Sequence, residues 1–133
     1  MLIKQISSSW AKQVPSPRFI LLGTGEIALD TVRAVGDDIA CGHVESHIDL
    51  PNIAAAAELI KQSSFFIGAD GGLMHIAAAL GKPGVAIFCQ IKPEWRLHSH
   101  STIRTVSAEQ DIDSVPIERI AREVTDYCRE LQR

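Results

Sequence analysis

The residues best suited to chemistry are concentrated in one segment, Asp70-Gly71-Gly72-Leu73-Met74-His75, which follows an apolar run and opens another. Two glycines allow a backbone to approach a ligand closely, and the first free amides of a helix point outward at the positive end of its dipole, where an anion is stabilised. Asp70 is placed to cap that helix, and His75 is its one polar side chain. At the carboxyl end of a parallel strand, such a turn forms a diphosphate cradle. The same residues also fit a purely structural turn, with Asp70 as a cap only, Gly71-Gly72 as a bend and His75 as a satisfied core histidine. Local physics leaves both readings open.

A second constellation is Gly23-Thr24-Gly25-Glu26-Ile27-Ala28, which matches the G-x-G-x-x-G/A pattern, with Glu45 lying 20 residues beyond Gly25 near the end of the next expected strand. It supports an alternative function, an NAD- or FAD-binding domain built on Gly23-Thr24-Gly25. Against it, Glu26 sets a carboxylate beside the expected pyrophosphate. Cys41, His43 and His47 have zinc-ligand chemistry, but alternation puts only Cys41 and His43 on one strand face and no fourth ligand is evident. Lys92 and Arg96 are loop cations able to neutralise phosphate, and His98 and His100 read as exposed unless that loop folds over a ligand. The chain has no Gly-x-Ser-x-Gly elbow, Walker loop or HExxH helix.

These residues must be positioned by strands and helices that alternate along the chain. Continuous apolar runs at 19–22, 65–67 and 85–88 predict strands covered on both faces, and 39–44 and 102–106 supply two weaker ones. Residues 2–6 are a candidate sixth strand. Helical patterns occupy 26–35, 53–62 and 72–80, and a C-terminal amphipathic helix runs over about 114–131. Residues 7–17 read as a loop, because two prolines argue against a crossover helix there. The expected fold class is α/β: a single doubly wound, Rossmann-like, mostly parallel sheet of five or six strands with helices on both faces, spanning 1–133 as one domain.

A length of 133 residues suits one domain, and an apolar content of 46% against 22% charged residues excludes disorder. The balance of 13 Lys and Arg against 16 Asp and Glu gives a net charge of −3 with no basic run, which argues against a nucleic-acid partner. No transmembrane segment or export signal is expected, and three widely spaced cysteines suit reduced thiols in the cytoplasm.

The string Asp70-Gly71-Gly72-Leu73-Met74-His75-Ile76-Ala77-Ala78-Ala79-Leu80-Gly81-Lys82-Pro83-Gly84-Val85-Ala86-Ile87-Phe88 closely resembles the C-terminal signature of the ADP-heptose:lipopolysaccharide heptosyltransferases, glycosyltransferase family nine. The resemblance runs from about Phe19 to the end and includes Leu21-Leu22-Gly23-Thr24-Gly25-Glu26 and, after the later strand, Pro93 and Trp95. Trp10 and Lys12 are similar in type, but not in order or spacing, to the family's upstream Lys-Trp-Pro segment. The resemblance implies the C-terminal half of a GT-B fold that binds an ADP-sugar as donor substrate and needs no cofactor or metal. It implies roles for Asp70, Gly71, Gly72, His75, Gly25 and Glu26 in donor binding, with Asp70 reaching the sugar, the Gly71 and Gly72 amides the diphosphate, and Glu26 the ribose. Gly71 stands where the family usually has Ser or Thr, and Cys89 and Ile91 replace polar residues after the strand. In such enzymes the catalytic base belongs to an N-terminal domain, so the base is expected outside these 133 residues and the catalytic residues are unknown. The expected function is therefore nucleotide-sugar binding within a glycosyltransferase of lipopolysaccharide or other glycan synthesis, with a partner domain completing the site. The alternative from another class is a non-catalytic relic or homodimeric interaction module of the same fold.

Overall fold

The computed structural model describes residues 18–98 and 100–132; the candidate strand 2–6, the loop 7–17, and Trp10 and Lys12 lie outside them. In chain order the elements are β1 (Phe19–Gly23), α1 (Gly25–Ala34), α2 (Gly36–Ala40), β2 (Val44–Ile48), α3 (Ile53–Gln62), β3 (Phe66–Ala69), α4 (Gly72–Ala79), β4 (Gly84–Cys89), β5 (Ile103–Ala108) and α5 (Ile117–Leu131). Short 3-10 turns occupy Pro93–Trp95 and Ile112–Ser114. The α/β class and the parallel pairing follow from the alternation of apolar runs and helical patterns.

The expectation of one sheet with five or six strands is corrected. β1 pairs with β2, from Phe19 against Val44 to Gly23 against Ile48, while β3, β4 and β5 form a separate three-stranded parallel sheet. No ladder joins β1 to β3 among the described residues. The apolar runs report that both faces of a strand are covered; they carry no information on whether two strand edges come within backbone hydrogen-bonding reach. Coverage is what β1 has. Phe19 packs on the cluster formed by Val85, Ile87, Val106 and Val124, and Leu22 packs on the cluster formed by Met74, Ala86, Phe88 and Ile103. Since Val85 and Ile87 alternate with Ala86 and Phe88 along β4, these two clusters lie on opposite faces of the three-stranded sheet. β1 is thus joined to that sheet by side chains.

β4 is central, with Gly84 through Phe88 all buried, and the two faces beside it are covered by different helices. α5 covers one through Ile120, Ala121, Val124 and Cys128, a stripe at helical spacing. Thr125 is buried within this stripe and is satisfied by donating its hydroxyl to the Ala121 carbonyl at 2.8 Å. α3 and α4 cover the other face through Ile60, Met74 and Ala77. Asn52 starts α3 by accepting the Ala55 amide at 2.9 Å.

Two boundaries also differ from expectation. Residues 39–44 do not form a strand: Asp37 and Asp38 supply a first turn for α2, the Ile39 amide bonds the Val35 carbonyl, and Gly42 in the left-handed region turns the chain into β2 at Val44. The C-terminal helix starts at Ile117, because Pro116 precedes it and Asp111 holds Ser114 in its own 3-10 turn.

Candidate functional site

The Asp70 turn sits where β3 ends and α4 begins. Asp70 is not the helix cap. Its amide donates to the Ile87 carbonyl at 3.0 Å, extending the β3–β4 ladder by one residue, so Asp70 belongs to the strand and the cap position passes to Gly71, which is extended and offers no side chain. The α4 N-terminus is consequently open. Among the described residues, a Cβ on Gly72 would meet nothing within 4 Å, and one on Gly71 only the Ala69 carbonyl at 4.0 Å, so no described side chain crowds this turn.

Relieved of capping, the Asp70 carboxylate points at two basic side chains. Arg96 Nε donates to its Oδ1 at 3.4 Å, and His75 Nε2 lies 3.8 Å from the same oxygen. The carboxylate side chain is only 14% exposed, whereas those of His75 and Arg96 are 41% and 44% exposed. This rules out His75 as a core histidine: it is one turn into α4, on the side that faces the loop after β4. That loop contains the 3-10 turn at Pro93–Trp95, in which Trp95 is exposed and carries Lys92 Nζ 5.6 Å from its ring centroid. Between α4 and the loop lies an open cavity of about 370 Å³, walled by His75, Arg96, Leu97, His98 and His100. His98 and His100 are exposed side chains whose ring centroids stand 5.3 Å apart along this wall.

The other sequence candidates lie elsewhere. Gly25 adopts φ +75° at the start of α1, a conformation glycine tolerates, and its amide donates to Asp49 Oδ1 at 3.0 Å. The Asp49 amide returns a bond to the Gly23 carbonyl at 2.9 Å, so the β1–α1 turn is closed by a protein carboxylate at the amide a pyrophosphate would need. Glu45 stands second in β2 rather than near its end, and it pairs with Arg18 at 3.6 Å and with His47 at 3.3 Å. Both findings count against the dinucleotide fingerprint. Glu26 is exposed in the first turn of α1, and no described contact joins it to the Asp70 turn. Cys41 caps the end of α2 and His43 precedes β2, so the strand alternation that would align them is absent. Among the described residues, no group of three or more His, Cys, Asp or Glu is placed to hold a metal ion.

Sequence reasoning assigned no role to Asp49, while His98 and His100 are exposed as expected and stand beside the cavity. The signal for Asp49 was an aspartate directly after a strand, where a side chain can turn back onto a neighbouring helix start. For His98 and His100, no periodic signal exists in an irregular loop.

No helix among the described residues is long and apolar enough to cross a membrane. A comparison with curated proteins and with solved structures finds no match. The sequence profile described as glycosyltransferase family 9 (heptosyltransferase) matches residues 36–124, well over half of the chain. The matched span contains Asp70 through His75 together with Arg96, and it starts after Gly25 and Glu26. A turn with an open helix N-terminus, a shielded aspartate and a histidine one turn on thus lies inside the matched sequence, and the chain belongs to glycosyltransferase family 9, the heptosyltransferase family.

Proposed function

We propose that this chain is the nucleotide-sugar-binding domain of a glycosyltransferase, taking an ADP-heptose-like donor for lipopolysaccharide or other glycan synthesis in the cytoplasm. The observation that carries this reading is the shielded Asp70 carboxylate beside the uncapped N-terminus of α4. The Gly71 and Gly72 region offers free amides to a diphosphate, Asp70 an acceptor to a sugar hydroxyl, and Glu26 an exposed carboxylate to ribose hydroxyls. In the transfer, an acceptor hydroxyl attacks the anomeric carbon with inversion as the bond to the diphosphate oxygen breaks, and a base from another domain takes the hydroxyl proton. This domain's part is to bind the donor and stabilise the charge that develops on the departing diphosphate. Amides and basic side chains supply positive charge for that step without a resident metal.

Calorimetric titration with ADP-heptose, ADP and NAD tests the reading. ADP-heptose is expected to bind, with Asp70→Ala and Glu26→Ala each weakening it by about tenfold or more, the scale of losing a charge-assisted hydrogen bond. Preference for NAD, or silence toward every nucleotide, overturns it.

A second reading, an interaction module, is favoured by a separate observation. Ile27, Ile53 and Trp95 are 84%, 68% and 72% exposed, and each follows the carboxyl end of a strand, β1, β2 and β4 respectively. Apolar side chains exposed at that end suit a partner domain or a second copy of the chain. Sedimentation equilibrium distinguishes a homodimer from a monomer that awaits a different partner.

A further inference from the structure

Asp70 and Arg96 are unequal partners. The carboxylate is mostly shielded and has two basic groups on one oxygen, whereas the guanidinium is nearly half exposed and uses only Nε on Asp70. Its remaining N–H donors take no partner among the described residues and open onto the cavity between α4 and the loop after β4. No carboxylate lines that cavity; its polar wall is Arg96 with His75, His98, His100 and Ser101. The loop's other cation, Lys92, lies over the Trp95 ring. Asp70, which Arg96 reaches through Nε, directly precedes Gly71, so an anion at the open end of α4 has one planar, multidentate cation nearby, and a diphosphate offers that fork more charge and more acceptor oxygens than a single carboxylate does.

We propose that Arg96 binds the donor diphosphate, exchanging its bond to Asp70 for phosphate oxygens and leaving the Asp70 carboxylate free to accept a sugar hydroxyl. The proposal rests on the nucleotide-sugar reading of the Asp70 turn and adds to it a residue, a ligand group and an order of events. Asp70 stays neutralised without ligand by Arg96, and His75 remains beside it when Arg96 leaves.

The test is calorimetric titration of the full chain and of its Arg96→Ala, Arg96→Lys and Asp70→Asn variants with ADP, AMP and ADP-heptose, with folding checked by thermal melts. Arg96→Ala is expected to weaken ADP by about ten- to hundredfold and AMP by less than about threefold, with Arg96→Lys recovering part of the loss. Asp70→Asn, which no longer competes for the guanidinium, is expected to tighten ADP while weakening ADP-heptose. Unchanged ADP binding in Arg96→Ala, an equal loss of ADP and AMP, or weaker ADP binding in a folded Asp70→Asn overturns the proposal. Absence of nucleotide binding by the unsubstituted chain is a different outcome: it removes the nucleotide-sugar reading, and this proposal with it.

Discussion

Asp70 shows how a single backbone bond reassigns a side chain. The residue type and its place before two glycines were legible, but a cap is defined by where the helix begins, and the Asp70 amide is spent on the Ile87 carbonyl across the ladder. That partner is contributed by another strand and is invisible in local sequence. The same holds for Asp49, whose left-handed φ of +56° brings its carboxylate back onto the Gly25 amide. Replacing it removes a side-chain acceptor at a helix start. Asp49→Ala is expected to lower unfolding free energy by roughly 1–2 kcal/mol, and Asp49→Asn, which keeps both an acceptor and a tolerance for that φ, by under about half as much. Urea denaturation followed by far-UV circular dichroism measures the difference, and equal losses would show that the bond to Gly25 contributes nothing.

At the scale of elements, the longer helices and most strand positions were legible, and the pairing of strand edges was not. The pattern over 53–62 coincides with α3, and the apolar stripe ending near 131 coincides with α5, because helical periodicity and caps are local properties. Strand edges are not. Gly84 illustrates this: it opens β4 directly against β3, and an added Cβ would stand 2.6 Å from the Phe66 carbonyl oxygen and 2.9 Å from Phe66 Cβ. Gly84→Ala is expected to destabilise the fold by about 1–3 kcal/mol, since backbone on the neighbouring strand has to move. Gly72→Ala provides the contrast; no described residue lies within 4 Å of the new methyl, and stability should hold or rise by up to about 1 kcal/mol. Thermal melts of the two variants, compared side by side, check the prediction. A glycine in the sequence does not announce which of these it is.

For the molecule as a whole, packing sets a pH limit. Cys128 lies on the buried face of α5 against the sheet, and loss of hydration pushes its thiol up to about 11. Because the unfolded chain releases that proton first, the contribution is fully present below the ordinary thiol value of 9.0 and is lost as pH rises toward 11. Stability measured by urea titration between those limits should fall by roughly 1–2 kcal/mol more in the parent than in Cys128→Ala, and parallel curves would contradict the burial argument. By itself, the sequence determined the α/β class, the family, the longer helices and the location of the Asp70 turn, since periodicity, turn chemistry and short-range motifs are carried by neighbouring residues. Tertiary structure decided that the five described strands pair as two and three, that Asp49 closes the Gly25 turn, and that Arg96 meets Asp70 from 26 residues away. Each of those outcomes depends on which edges and side chains a folded chain brings together, and that proximity is set by packing across both faces of the sheet.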